Sequence, residues 1–126
     1  MIPYRTDALL KIRESDPRSA GVLNELDRVL AAPQFNRLDK PAKLLRYIVE
    51  EVVLGFTPRE TQLGVAIFRR DYDPNVHSNV RVAVLLIRSR LKEYYRGVAT
   101  GSPVRIEIPA NQCAAVFSWR SSSAAD

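Results

Sequence analysis

A mainly α-helical domain closed by a C-terminal β-hairpin is the fold class that this sequence predicts, on three observations. Apolar residues recur at three- and four-residue spacing in successive stretches up to Gly97. Strict alternation then takes over at Val104-Arg105-Ile106-Glu107-Ile108, the period of a strand. The length of 126 residues suits one domain with a single core.

The elements follow in chain order. Residues 1–18, with a short amphipathic stretch from Asp7 to Arg13 and then Asp16-Pro17, read as a flexible N-terminal arm, and 19–119 as the folded domain. Ser19 is placed to cap a helix through Ala31 that buries Val22, Leu23, Leu26, Val29 and Leu30, and Pro33 stops it. Asp39 caps the next helix, whose apolar stripe is Leu44, Leu45, Ile48, Val49 and Val52, with Gly55 as its left-handed stop. Thr57-Pro58-Arg59-Glu60 has the form of a capping box, opening a short helix to Phe68. Gly64 inside that helix is unfavourable by about 1 kcal/mol, which predicts a close helix–helix contact. Asp71 to Asn75 is a turn, and Ser78 caps the longest helix, ended by Gly97. Pro109 breaks the first strand, and Ala115 to Trp119 returns as its partner. Residues 120–126 read as a disordered tail.

Composition excludes several classes. No apolar run reaches the roughly 20 residues that cross a bilayer, and the N-terminus lacks a secretory pattern. The single Cys113 forbids an internal disulfide and fits a reducing cytoplasm. The net charge of +5 is confined to one region. From Asn79 to Arg105 there are six cations, Arg81, Arg88, Arg90, Lys92, Arg96 and Arg105, against Glu93 alone; elsewhere the signs balance at thirteen each. A basic stripe on one element is what nucleic-acid binding requires electrostatically.

The long helix has two faces. Val80, Val84, Ile87, Leu91 and Tyr94 share the core side, and Arg81, Leu85, Arg88, Lys92 and Arg96 lie roughly opposite. Guanidinium groups there suit phosphates or guanine edges. Val82, Leu85 and Leu86, however, fall outside the core arc, so part of this helix is apolar nearly all round. A contiguous apolar cluster of that kind marks a covered surface or a protein contact.

Helices followed by a hairpin give the outline of a winged helix-turn-helix. The sequence also resembles one family from Leu23 to Phe117. Leu44-Leu45-Arg46-Tyr47-Ile48-Val49-Glu50-Glu51-Val52-Val53-Leu54-Gly55, Ile67-Phe68-Arg69-Arg70-Asp71-Tyr72-Asp73-Pro74, Val80-Arg81-Val82 with Arg88, Leu91, Glu93, Tyr94 and Tyr95, and Pro103 to Pro109 with Val116-Phe117 carry the resemblance. It is to the winged-helix domain at the N-terminus of bacterial proteins with adenylate-cyclase or tetratricopeptide-repeat regions, itself similar to the DNA-binding half of OmpR/PhoB-type response regulators. The resemblance implies that 57–68 and 78–97 form a helix-turn-helix. Arg81, Arg88 and Arg90 would then face DNA, with Arg105 on the wing. Two departures stand out: the family's paired arginines fall at Leu85 and Leu86, and its Lys-Gly-aromatic falls at Asn111-Gln112-Cys113.

Catalytic patterns are missing. His77 has no partner at ligand spacing, so no metal is expected, and Asp71 with Asp73 lacks an accompanying nucleophile, base or phosphate loop. Tyr94-Tyr95 reads as core packing, and Trp119 as closing the core beside the arm. The leading expectation is a cytoplasmic, non-enzymatic, double-stranded-DNA-binding transcriptional regulator without a cofactor. Helix 78–97 would be its recognition helix and hairpin 103–119 its wing, with Arg69, Arg70, Lys92 and Arg105 on phosphates. The alternative is a protein-interaction or dimerisation module derived from a winged helix, with Val82, Leu85 and Leu86 as the contact.

Overall fold

Five helices precede a two-stranded antiparallel hairpin in the computed structural model, which describes residues 3–97 and 101–120. The helices are α1 (Pro3–Ser15), α2 (Pro17–Ala31), α3 (Lys40–Val53), α4 (Glu60–Ile67) and α5 (Asn79–Arg96). The strands are β1 (Val104–Glu107) and β2 (Val116–Trp119), in the register Val104↔Trp119 and Ile106↔Phe117. No described helix is long and apolar enough to cross a membrane.

One apolar core joins α2 to α5 and the hairpin. Leu26 and Val29 of α2, Leu44, Leu45, Ile48 and Val49 of α3, Leu63 of α4, and Val80, Ile87 and Leu91 of α5 are buried together. Val104, Ile106 and Ile108 close it from the hairpin, with Arg105 and Glu107 pointing outward as alternation requires. Phe35, in the connection between α2 and α3, is also fully buried, and no periodic pattern marks it.

A polar chain runs through this core. Glu25 of α2 is completely buried, yet it accepts hydrogen bonds from Arg28 and from the Tyr95 hydroxyl, each at 2.7 Å. The same hydroxyl accepts the Ile106 N–H at 3.0 Å. A buried carboxylate is tolerable only when paired in this way, and here the pairing ties α2, α5 and β1 together.

Several local expectations need correction. Residues 3–15, read as part of an arm, are helical. They make α1, anchored by Arg5, whose guanidinium pairs with Glu51 and with Glu50 at 3.2 Å and lies 4.3 Å from the Tyr47 ring centre. Helix α2 starts at Pro17 rather than after Ser19, because the Asp16 carboxylate accepts the Arg18 N–H and the Ser19 hydroxyl. The capping box at Thr57 does not form, since Glu60 is drawn to Arg81 and Tyr72 and α4 begins only at Glu60. Gly64 does meet a close neighbour, but it is the Tyr72 ring rather than a helix: an added Cβ would lie 2.1 Å from Tyr72 Cγ. Trp119 stays 38% exposed, with the Arg18 guanidinium 4.0 Å above its ring. Arg120 continues the hairpin by donating its N–H to Pro103 O at 2.9 Å, and the rest of the expected tail, 121–126, lies outside the described residues.

Gly55 behaves as read. With φ of 93° it ends α3, and the Gly55 and Phe56 N–H groups turn back to the Val52 and Glu51 carbonyls in a Schellman pattern.

Candidate functional site

Helix α5 is set in place at its start by a tyrosine. Ser78 makes no side-chain cap bond; the Tyr72 hydroxyl accepts the Val80 N–H at 3.0 Å instead. That hydroxyl also lies 3.2 Å from both Glu60 Oε2 and the His77 carbonyl, so one proton serves two acceptors between α4 and α5. Burial, and secondarily the Glu60 charge, push the Tyr72 pKa up, so the hydroxyl keeps its proton. His77 is occupied locally: its Nδ1 accepts the Asp73 N–H at 3.0 Å, and its ring lies tilted beside Tyr72, 5.5 Å between ring centres.

Around α5, Val80, Ala83, Val84, Ile87, Leu91, Tyr94 and Tyr95 face the core. The opposite side carries Val82 and Leu85, each 62% exposed, then Ser89, Lys92 and Arg96, also exposed. Leu86 sits half-buried beside them. The outward side of the helix is thus apolar over its first turns and cationic over its last.

The cations expected to form one surface are dispersed. Arg81 bonds Glu60 at 2.5 Å and the carbonyls of Pro74 and His77 at 3.1 and 3.2 Å. Arg88 turns to the hairpin, donating from Nε to Ile108 O at 2.8 Å and from Nη2 to Pro109 O at 2.9 Å. Arg90, nine residues from Arg81, is about two and a half turns away and so on the opposite flank, where it reaches Gln34 O at 3.4 Å. Arg69 is held by Asp71 at 2.7 Å. Arg105 is held by Glu107 at 3.2 Å and lies 5.0 Å from the Tyr95 ring centre. Of the seven residues expected at DNA, only Arg70 and Lys92 bond nothing among the described residues, and both are exposed.

Two clefts border this face. One, of about 390 Å³, lies between α4, α5 and the hairpin loop and is lined by Glu60, Arg81, Leu85, Arg88, Gln112 and Cys113. The other, of about 310 Å³, runs between α5 and the strands past Lys92, Tyr95, Arg105 and Val116. Asn111 turns the hairpin loop with φ of 63°, a conformation that asparagine adopts more readily than most residues. Burial pushes the Cys113 thiol up, which keeps it protonated and a poor nucleophile. Among the described residues no three His, Cys, Asp or Glu side chains are grouped to hold a metal.

Compared with protein-family profiles, curated proteins and solved structures, the chain has no match. The winged-helix resemblance therefore rests on the residues quoted for it.

Proposed function

We propose that the chain is a protein-interaction module on a winged-helix scaffold, docking a partner protein through Val82, Leu85 and Leu86. The order α3, α4, α5 and hairpin supports the scaffold, with α4 and α5 joined through Tyr72 as the two helices of a helix-turn-helix. One observation carries the function: Val82 and Leu85 stand side by side on the outward face, each 62% exposed. Isolated exposed apolar side chains are ordinary, but an adjacent pair on the most accessible side of a long helix is the mark of a contact surface. The side chains that would make this face a DNA reader, Arg81 and Arg88, are turned to groups within the chain.

Magnitudes set the limits of such a contact. Covering the cluster removes roughly 200 Å² of apolar surface from water, worth about 5 kcal/mol at about 25 cal/mol per Å². Association costs about 4–15 kcal/mol, so the apolar cluster is an anchor that needs further contacts around it.

The test is selection of helical peptides from a displayed library on the wild-type chain, with Leu85→Arg as counter-selection. Selected peptides are expected to shift the Val82 and Leu85 methyl resonances and to lose binding to Leu85→Arg. Binders that leave those methyls unmoved overturn the reading.

A second reading, double-stranded DNA binding, is favoured by the exposed and unbonded Arg70, Lys92 and Arg96. It predicts that affinity for random duplex falls steeply between about 50 and about 200 mM salt, as counterion release requires. Weak and salt-independent binding excludes it.

A further inference from the structure

Resting on the interaction reading, we infer that the partner is an acidic amphipathic helix, with an apolar stripe for Val82 and Leu85 and carboxylates for the cations beyond them. The argument is charge complementarity around an apolar anchor. Along α5 there are five cations, Arg81, Arg88, Arg90, Lys92 and Arg96, and one carboxylate, Glu93. Arg81 is compensated by Glu60, but Arg88 bonds only carbonyl oxygens, which leaves its positive charge unneutralised. Lys92 and Arg96 meet no anion among the described residues. The apolar cluster is therefore continued, toward the C-terminal end of α5, by cations without partners.

This charge distribution disfavours a second copy as the occupant. In a twofold pairing the same patch faces itself, so the exposed Lys92 and Arg96 of each α5 would enter one interface with the identical pair. Like charges brought together in an interface oppose association. An acidic partner removes that conflict and gains from it, because opposite charge raises the association rate and fixes orientation.

The spacing also suits a helix. Val82, Leu85 and Ser89 follow one another at about one turn along the outward side. The exposed Ser89 is small, which permits a partner helix to approach between the apolar anchor and Lys92.

The experiment uses three labelled synthetic amphipathic helices that share one leucine stripe and carry Glu, Gln or Lys on either side of it. Fluorescence anisotropy reads binding to the full chain, and methyl resonances of Val82 and Leu85 report the place. The Glu peptide is expected to bind at least about tenfold more tightly than the Lys peptide, with the preference reversed in Lys92→Glu/Arg96→Glu. Both substituted residues are exposed and unbonded among the described residues, so neither change removes a described contact. Equal binding of all three at Val82 and Leu85 overturns the acidic partner and leaves the interaction reading standing. No peptide moving those methyls overturns both. A dimer in sedimentation that Leu85→Arg dissociates, or random duplex displacing the Glu peptide, also overturns the acidic helix in favour of a second copy or DNA.

Discussion

The Tyr95 hydroxyl donates to a fully buried carboxylate and accepts a strand N–H, so three elements depend on one oxygen. Tyr95→Phe keeps the ring packing but leaves Glu25 Oε2 and the Ile106 N–H without that partner. An unsatisfied buried polar group costs about 1–3 kcal/mol, and urea unfolding of the variant is expected to show a loss of that size. The pH dependence follows from the same environment. Burial, then the hydrogen bond to Glu25, raise the Tyr95 pKa above the ordinary tyrosine value of about 10. The fold therefore favours the neutral phenol, and its contribution is complete below about pH 10 and lost as pH rises beyond that value. Wild type is expected to lose more thermal stability between neutral and strongly alkaline solution than Tyr95→Phe does; equal losses would contradict this. Gly64 offers a second test. A Cβ there collides with the base of the buried Tyr72 ring, so Gly64→Ala is expected to destabilise by about 1–3 kcal/mol despite the better helix former. Gly21, within α2, has nothing within 4 Å of an added Cβ, and Gly21→Ala is expected to stabilise by about 0.5–1 kcal/mol. Melting the two variants side by side separates crowding from propensity.

At the scale of elements, the hairpin is held to α5 by Arg88 through carbonyls twenty and twenty-one residues further along the chain. Arg88→Ala is expected to weaken that attachment by about 1.5–3 kcal/mol, the range for hydrogen bonds to a charged group. Faster amide exchange at Ile106 and Phe117, with α3 amides unchanged, is the expected readout, whereas uniform acceleration would mean that Arg88 supports the whole fold. The same side chain explains what could be read in the sequence. The faces of α5 and the stop at Gly55 were legible because each is decided by neighbours within a turn. Periodicity likewise placed Val82 and Leu85 outside the core. It did not show where the guanidinium groups end, because Arg88, Arg90 and Arg81 are claimed by atoms of distant segments. The capping box at Thr57 failed for the same reason: Glu60 has the local spacing to cap, but a cation twenty-one residues away holds it.

For the molecule as a whole, α1 poses the question of what is scaffold and what is attachment. Among the residues whose burial is described, none before Val22 belongs to the apolar core. The described polar contacts of α1 are Arg5 on Glu50 and Glu51, and Arg13 donating to Asn24 at 2.7 Å. This is why the segment read as an arm, since an ion pair spanning forty-six residues leaves no periodic trace. Removing residues 1–15 deletes these contacts but leaves Asp16 to cap α2 and Gln62 to donate to Glu51 at 2.7 Å. The shortened chain is thus expected to unfold cooperatively and to be less stable by about 1–3 kcal/mol, the scale of charged hydrogen bonds that are only partly buried. High salt is expected to narrow the difference between the two chains, because screening weakens the Arg5 and Arg13 contacts only where they exist. If the shortened chain instead loses its cooperative transition, α1 is part of the core structure and not an element laid on its surface.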